Sequence, residues 1–181
     1  MVDAQESTIA REGDKRLVAK DVRRVFDDAE KGELVALHDF DLEAEHGELV
    51  ALIGPSGCGK STFLRLVAGL DKAQGGTIEY GGEPIEGPSY NRGFVFQETN
   101  LYPWLTVEKN IAFGLKARGV YKQQKHRVQE MIDLMGLSGF EKSYPHQISG
   151  GMAARVAIAQ TLVQDPGIIL LDEPLSAFSM T

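Results

Sequence analysis

The sequence predicts an α/β fold in which an antiparallel sheet flanks a parallel core. Residues 49–53 form an apolar run that ends in a glycine-rich turn, and residues 61–70 follow with helical spacing. Residues 168–171 form a second continuous apolar run, which is typical of a strand covered on both faces. Residues 17–26 and 34–42 alternate loosely between apolar and polar side chains, which predicts two antiparallel strands near the N-terminus.

Length and composition predict one domain with at most a small subdomain. The chain of 181 residues is 43% hydrophobic and 25% charged, as in ordinary globular proteins. Its net charge of -7 argues against a general nucleic-acid-binding protein. Cys58 is the only cysteine, which excludes a disulfide framework and a cysteine metal site and fits a reducing cytoplasm. Residues 1–14 are polar and predict a mobile leader rather than a signal peptide, and no apolar run reaches the roughly 18 residues of a membrane span.

The other elements follow in chain order. Residues 77–82 predict a short hairpin, residues 81–89 predict a loop, and residues 93–96 predict a buried strand. Helical periodicity runs over residues 106–119, and residues 128–135 place both of their methionines on one apolar helix face. Residues 153–164 are dominated by alanine, valine, isoleucine and leucine, which predicts a further helix before the second apolar run.

The turn after residue 53 fits the pattern G-x-x-x-x-G-K-[ST], which predicts a phosphate-binding loop. Glycines let several backbone N–H groups converge on one set of phosphate oxygens, and the helix that follows adds unpaired donors and the positive end of its dipole. Lys60 supplies a full positive charge, and the Ser61 hydroxyl suits a Mg²⁺ ligand. The alternative is an ordinary glycine-rich turn between a strand and a helix. The predicted loop residues are Gly54, Pro55, Ser56, Gly57, Cys58, Gly59, Lys60, Ser61 and Thr62.

Polar residues follow both predicted buried strands. Asp172 and Glu173 come directly after residues 168–171, where two carboxylates are costly unless they are used. Asp172 could reach Mg²⁺ through water, and Glu173 could polarise an attacking water as a general base. Gln97 follows residues 93–96 and could touch both a metal ligand shell and a water, although a surface glutamine is the commoner interpretation.

Two further candidate sites could contact a nucleobase and a second anionic group. Phe26 offers an aromatic face for a nucleobase, although residue type alone favours a core side chain. Ser149 is a good N-cap residue, and Gly150 and Gly151 after it leave the helix N-terminus open to close approach by an anion. The alternative is a routine glycine-rich helix start.

The order of these motifs resembles the ATP-binding subunits of ABC transporters, from about Leu17 to the C-terminus. The sequence Ser-Gly-Gly at residues 149–151 lies before a predicted helix, and that helix lies before the strand at residues 168–171. This order is specific to ABC ATPases. Residues 101–107, taken together with residues 149–152, are similar to the nitrate/sulfonate/taurine importer branch. The four motifs that carry the resemblance are Walker A at residues 54–62, the Q-loop at 96–98, the signature at 148–152 and Walker B at 168–173.

The resemblance implies a P-loop NTPase (RecA-like) ABC nucleotide-binding domain with an N-terminal antiparallel β subdomain and an inserted helical subdomain. Residues 15–98 and 151–181 would form the core with the β subdomain, and residues 99–150 the helical subdomain. The family follows Walker B with Ser-Ala-Leu-Asp, whereas residues 176–179 are Ser-Ala-Phe-Ser, and the family's later strand and γ-phosphate histidine do not follow. We therefore expect a domain that misses its C-terminal part, binds ATP better than it hydrolyses it and exposes a sheet edge.

The resemblance also implies a nucleotide chemistry. ATP would lie on the Walker A loop with its adenine against Phe26, together with Mg²⁺. In a head-to-tail homodimer, the signature of one copy would contact the γ-phosphate bound by the other, through Ser149, Gly150 and Gly151. The implied metal ligands are Ser61, Gln97 and Asp172, and the implied catalytic residues are Glu173, Gln97 and Lys60.

The implied function is that of the ATP-hydrolysing subunit that energises an importer for a small anion such as nitrate, a sulfonate or taurine. Such subunits meet their transmembrane permease through the segment from Gln97 to Trp104, and a solute-binding protein takes part indirectly. The expected location is peripheral, at the cytoplasmic face of the inner membrane. Two alternatives stay open: a soluble ABC-type ATPase outside transport, and a catalytically silent, truncated remnant that binds ATP only.

Overall fold

The computed structural model describes residues 15–28 and 32–173, which form two compact units that divide between Pro88 and Ser89. The predicted leader at residues 1–14 and the departure from the family pattern at residues 176–179 lie outside the described residues. The predicted division into a core and an inserted helical subdomain stays a prediction.

The first unit is built on an antiparallel sheet of four strands in the order β2-β1-β3-β4. Strand β1 (Leu17–Asp28) pairs with β2 (Gly32–Ala44) on one side and with β3 (Gly75–Tyr80) on the other, and β3 turns back into β4 (Glu83–Pro84). These strands confirm the predicted N-terminal strand pair and the predicted hairpin at residues 77–82, although the second strand of that hairpin lies within residues 81–89, which were predicted as a loop. The buried face of the sheet includes Leu17, Ala19, Val22, Ile78 and Tyr80.

The ladder between β1 and β2 contains a bulge at Ala36. Arg24 lies opposite Leu37, whereas the next residue of β1 lies opposite Val35, so Ala36 has no partner in register. A bulge bends its strand and turns the neighbouring groups to new directions. A Cβ atom on Gly59 would collide with the Ala36 carbonyl oxygen. The end of the phosphate loop therefore packs directly on this bulge.

The helix predicted after the loop is α1 (Lys60–Ala68). It ends at Gly69, which has a φ of 75° and donates its N–H to carbonyl oxygens of the last turn. The Phe63 ring packs on the Phe40 ring of β2 with the ring centroids 4.7 Å apart. This contact and the burial of Leu66 and Val67 fix the helix within the first unit.

The strand predicted at residues 49–53, directly before the loop, is wrong. These residues have an irregular backbone, and the side chains of Leu49 and Ile53 are 92% and 94% exposed. A strand needs a neighbouring backbone to complete its hydrogen bonds, and within residues 15–28 and 32–173 no strand pairs with this segment. An apolar run therefore forms a buried strand only where a sheet supplies a place for it.

The second unit combines a parallel strand pair with a group of helices. Strand β5 (Arg92–Val95) pairs with β6 (Ile168–Leu171), which confirms the strands predicted at residues 93–96 and 168–171. Between them the chain forms α2 (Val107–Ile111), α3 (Phe113–Ala117), α4 (Tyr121–Leu134), a 3₁₀ turn (Pro145–Gln147) and α5 (Gly150–Leu162).

The helices of the second unit share one hydrophobic core. Met131 and Met135 pack against this core, as their helical spacing predicts. Helix α5 contributes Val156 and Ala159, so the helix that begins after Ser149 is anchored on its neighbours. No helix among the described residues is both long enough and apolar enough to cross a membrane. The buried core consists of Val107, Ile111, Ala112, Leu115, Val128, Ile132, Leu137, Val156, Ala159 and Val163.

Among the described elements of the second unit, strand β6 packs with one face only, in contrast to the prediction of a strand covered on both faces. Leu170 is buried, whereas Ile169 and Leu171 on either side of it are almost half exposed. Side chains alternate between the two faces of a strand, so one face of β6 packs and the other is accessible. Within the described part of the second unit, no element covers that second face.

Candidate functional site

The phosphate loop closes around the ammonium group of Lys60. Its Nζ atom donates hydrogen bonds to the carbonyl oxygens of Gly54 and Pro55, both at 2.8 Å, and lies 3.7 Å from the Cys58 Sγ atom. Lys60 is also the first residue of α1. Its side chain therefore folds back over the loop, and the positive charge lies where a bound anion would meet it.

Two glycines of the loop lie in close contact with neighbouring atoms, a backbone oxygen at Gly59 and a side-chain sulfur at Gly54. Gly59 is the N-cap of α1 with a φ of 95°, and a Cβ atom there would meet the Ala36 carbonyl. At Gly54 a Cβ atom would lie 2.6 Å from Cys58 Sγ. Gly59 has no side chain that could cap the helix. No side-chain oxygen of the N-cap residue therefore competes with a ligand for the N–H groups at the N-terminus of α1.

This donor set fits the terminal phosphates of a nucleotide. It combines a charged ammonium with the exposed backbone of residues 54–58 and with the N-terminus of a helix, all of which favour negative charge. In residues 15–28 and 32–173, no group of three His, Cys, Asp or Glu side chains could hold a metal ion by itself. Of the candidate Mg²⁺ ligands, Ser61 lies in the first unit, and Gln97 and Asp172 lie in the second.

Phe26 lies on β1 in the same unit as the loop. Its side chain is 36% exposed, which contradicts the interpretation as a core aromatic residue. The Arg24 guanidinium lies over the ring, with Cζ 4.6 Å from the ring centroid. Phe26 pairs with Leu34 of β2, two residues from the bulge at Ala36 that supports the loop. Phe26 and the end of the phosphate loop therefore both contact residues 34–36 of β2.

The ends of β5 and β6 bring two predicted residues together. Gln97 Nε2 donates a hydrogen bond to Glu173 Oε2 at 3.1 Å. The Asp172 N–H donates to the Val95 carbonyl at 3.0 Å, which continues the parallel pairing up to the carboxylates. Glu173 has a φ of 47°, a left-handed conformation that is rare for glutamate. These residues form a polar cluster at the carboxyl edge of the strand pair, the edge where α/β proteins place their ligands.

The signature forms the start of α5. The Ser149 hydroxyl oxygen accepts a hydrogen bond from the Met152 N–H at 3.2 Å, which makes it the predicted N-cap. Ser149 and Gly150 are exposed, and a Cβ atom on Gly150 would contact nothing within 4 Å. This helix start is accessible, and a second molecule can approach it.

The segment from Gln97 to Trp104 carries an exposed aromatic group. The Trp104 side chain is 70% exposed, and its ring lies 5.6 Å from the Tyr102 ring, which in turn lies 4.3 Å from Phe113. An open groove of about 430 Å³ extends from Tyr102 and Phe113 along the second unit. An exposed aromatic patch beside a groove is typical of a surface for another protein.

Two residues that support these groups, Asn110 and Arg24, are not predicted from the sequence. Asn110 is fully buried: its Nδ2 donates to the carbonyls of Tyr102, Leu105 and Thr106 at 3.0–3.2 Å, and its Oδ1 accepts the Tyr102 N–H at 2.8 Å. An asparagine between apolar residues of a helix was the signal that could have identified it. Arg24 could have been found from its position two residues before Phe26, on the same strand face.

Comparison with known proteins decides the family. The sequence profile described as ABC transporter matches residues 37–176, which is most of the chain. The chain belongs to the ABC transporter family. This confirms the family prediction made from the order of the four motifs, and it places both the phosphate loop and the Gln97–Glu173 cluster within the matched part.

Two relatives show which branch of the ABC transporter family the chain resembles. It is 51% identical over 146 residues to the aliphatic sulfonates import ATP-binding protein of Bacillus thuringiensis subsp. konkukian, which covers 81% of this chain and 57% of the relative. It is 44% identical over 161 residues to the nitrate import ATP-binding protein of Synechocystis sp., which covers 88% of this chain and 60% of the relative. The chain thus spans less than two thirds of the length of these relatives.

Solved structures confirm the predicted fold class. A dimeric, post-hydrolysis state of the ATP-binding cassette MJ0796 bound to ADP and Pi matches with a TM-score of 0.78 and 32% identity, over 89% of this chain and 75% of that one. A second dimeric structure of MJ0796, a bacterial ABC transporter cassette, matches with a TM-score of 0.80 and 31% identity, over 90% and 76%. The chain is an α/β ABC cassette, and the roles of its individual site residues stay predictions.

Proposed function

We propose that this chain is the ATP-binding and ATP-hydrolysing subunit of an ABC importer for a small anion such as nitrate, a sulfonate or taurine. The observation that carries the proposal is the Lys60 ammonium, held inside the loop by Gly54 and Pro55 at a helix start without a side-chain cap. The similarity to sulfonate and nitrate import subunits supports the choice of solute class.

In this proposal ATP binds with its phosphates on the loop and its adenine against the exposed ring of Phe26. The ammonium of Lys60 would exchange its two carbonyl contacts for phosphate oxygens, since a charge-assisted bond to an anion is stronger than one to a neutral carbonyl. The glycine at position 59 lets the backbone approach the phosphates. The loop residues that would contact ATP are Gly54, Pro55, Ser56, Gly57, Cys58, Gly59, Lys60, Ser61 and Thr62.

Mg²⁺ would accompany the nucleotide, because hydroxyl, amide and carboxylate oxygens are the ligands it prefers. Ser61, Gln97 and Asp172 would hold it together with phosphate oxygens. When bound, the ion neutralises part of the charge on the phosphates.

Glu173 would take the proton from the attacking water as the general base. Its hydrogen bond from Gln97 occupies one carboxylate oxygen, and this orients the carboxylate so that the other oxygen can accept from a water. Lys60 would stabilise the negative charge on the transferred phosphoryl group. Water then attacks the γ-phosphorus, the bond to the β-phosphate oxygen breaks, and ADP and phosphate are released.

The proposed assembly is a head-to-tail homodimer on a permease. Ser149, Gly150 and Gly151 of one copy would contact the γ-phosphate of ATP bound by the other, which the exposure of this helix start allows. The segment from Gln97 to Trp104 would dock on the transmembrane permease, and a solute-binding protein would act through that permease. The chain would then be peripheral, at the cytoplasmic face of the inner membrane.

The test uses the purified chain with a fluorescent ATP analogue and a phosphate-release assay. We expect Lys60→Ala to weaken nucleotide binding by at least about 10-fold, the loss of one charged hydrogen-bond donor, while the matched control Lys20→Ala, on the exposed side of β1, leaves it unchanged. Equal affinity of Lys60→Ala and the unmodified chain would contradict the proposal. ATP binding without any phosphate release would retain the binding site and reject the hydrolytic role.

A further inference from the structure

Arg24 connects the exposed ring of Phe26 to the segment that follows the phosphate-loop helix. Its guanidinium lies over the ring at 4.6 Å from the centroid, and Nη2 makes an ion pair with Asp71 Oδ1 at 3.0 Å. Asp71 comes two residues after Gly69, the residue at which α1 ends. The same carboxylate oxygen accepts the N–H of Lys72 at 2.8 Å, which fixes its direction.

Both charged partners are mostly shielded from water. The side chains of Arg24 and Asp71 are 20% and 23% exposed, so their ion pair is stronger than a fully solvated one. Arg24 also lies beside the bulge at Ala36, opposite Leu37. The neighbouring Arg23 is exposed and belongs to the other face of the strand. Of these two adjacent arginines, only Arg24 is placed against the ring.

We propose that Arg24, held by Asp71, is a positioning residue that orients Phe26 for stacking on the purine base of a bound nucleotide. The inference rests on the proposed function, because it assumes that the base lies on Phe26. The guanidinium covers part of one face of the ring, and the exposed remainder of the ring is what a base can stack on.

The physical reason is preorganisation. An exposed phenylalanine rotates between side-chain rotamers, and a ligand that binds it must immobilise it. Arg24 limits this rotation before the nucleotide arrives. The ion pair with Asp71 also ties β1, which carries the ring, to the end of α1, whose N-terminus binds phosphate. The pair therefore holds the base subsite at a fixed distance from the phosphate subsite within the first unit.

The experiment compares two ligands that share phosphates and differ in the base: ATP and inorganic tripolyphosphate. The full chain is titrated calorimetrically with each. We expect Arg24→Ala to weaken ATP binding by about 3- to 10-fold, the cost of immobilising one free side chain, and to leave tripolyphosphate binding unchanged. Asp71→Asn, which keeps the side-chain shape, should weaken ATP binding less and in the same ligand-selective way. The matched control is Arg23→Ala, which removes the same charge from the adjacent exposed position.

Phe26→Ala separates this inference from the proposed function. If Phe26→Ala weakens ATP binding and Arg24→Ala does not, the positioning role is wrong and the base site stands. If Phe26→Ala leaves ATP binding unchanged, the base does not lie on this ring, and both the base site and the inference fail. Equal losses for ATP and tripolyphosphate in Arg24→Ala would show a general structural effect and overturn the inference. Should Arg24→Ala fail to fold, Arg24→Lys and Asp71→Asn decide by the same ligand comparison.

Discussion

The side-chain amide of Gln97 donates a hydrogen bond to the carboxylate of Glu173 at 3.1 Å, although 76 positions separate the two residues in the chain. Parallel pairing of β5 with β6 creates this contact, since Val95 lies opposite Leu171 and the two polar residues follow at the same edge. A carboxylate held by an amide keeps one oxygen in a fixed direction. This arrangement suits a base that must accept a proton from one particular water.

Glu173→Gln should reduce ATP hydrolysis by about 100-fold or more, because a general base contributes on the order of 10²- to 10⁴-fold to rate. ATP affinity should change little, since the amide keeps the shape of the side chain. Gln97→Ala should reduce the rate less, by about 10-fold, because it removes only the orienting hydrogen bond. Phosphate release at saturating ATP measures both. A rate for Glu173→Gln equal to that of the unmodified chain rules out the proposed base.

Gly59→Ala should destabilise the first unit. The residue has a φ of 95°, and a Cβ atom would collide with the Ala36 carbonyl. A strained left-handed residue with a steric clash costs about 1–3 kcal/mol. Gly87→Ala is the matched control, because a Cβ atom there meets nothing within 4 Å. Urea unfolding followed by circular dichroism should show a lower midpoint for the first variant only, and equal midpoints would contradict the observed packing of the loop on the bulge.

Asn110→Ala should lower stability and loosen the turn that carries Trp104. It removes four hydrogen bonds of a fully buried side chain, including the acceptor of the Tyr102 N–H, which costs about 1–3 kcal/mol. Thermal unfolding measures the first effect, and fluorescence anisotropy of Trp104 below the transition measures the second. The exposed Asn100→Ala is the control. Unchanged anisotropy in a folded Asn110→Ala chain would show that the turn does not depend on this residue.

Ser149→Ala should separate a stability effect from an assembly effect. Loss of the N-cap bond to Met152 should cost about 1 kcal/mol of stability. In a Glu173→Gln background, which retains bound ATP, it should also abolish ATP-dependent dimers in size-exclusion chromatography. Ser138→Ala removes another exposed serine hydroxyl, one bonded to Asp133, and should leave those dimers intact. Dimers of equal strength in both variants would remove Ser149 from the interface.

The carboxylate of Glu141 should contribute to the stability of the folded chain in a way that depends on pH in the acid range. Its carboxylate accepts the Gly139 N–H at 3.0 Å, and this backbone hydrogen bond lowers the pKa of Glu141 below its ordinary value. The folded chain then binds this proton less readily than the unfolded chain. The bond therefore adds stability above the unfolded-state pKa, and the contribution disappears as pH falls through the folded-state pKa. A carbon-detected NMR titration should give a lower pKa in the folded chain than in urea, and equal values would contradict this.

Patterns of neighbouring residues predicted the helices and helix caps, because these features depend mainly on interactions between residues close in the sequence. The helix after Lys60 and the N-cap at Ser149 follow from spacing and capping preferences, and both occur as expected. The prediction of a strand at residues 49–53 was wrong because strand formation depends on a pairing partner far away in the sequence. The prediction that β6 is buried on both faces was wrong for a related reason, since burial also depends on elements far away in the sequence. The approach of Gln97 to Glu173 was implied by the family resemblance alone, since no local signal joins residues so far apart.

Asn110 and Arg24, which support the site, could not be predicted because the sequence pattern around each of them is weak. Asn110 interrupts an apolar helix face, which in sequence is equally typical of a solvent-facing turn. Arg24 is one of two adjacent arginines, and strand alternation places Arg24 rather than Arg23 on the face of Phe26, but the contact itself depends on where the ladder bends at Ala36. Register and bulges arise from the pairing of whole strands, so the distance between two side chains on one face cannot be predicted from their spacing alone.

Trp104 is the only tryptophan of the chain, and its side chain is 70% exposed. Its emission therefore comes from a single place on the molecule, without contributions from a buried indole elsewhere. Transfer of this indole from water into the apolar surface of another polypeptide would shift the emission to shorter wavelength. The protein thus carries its own optical probe, with which binding of another protein at Trp104 can be timed in unlabelled samples.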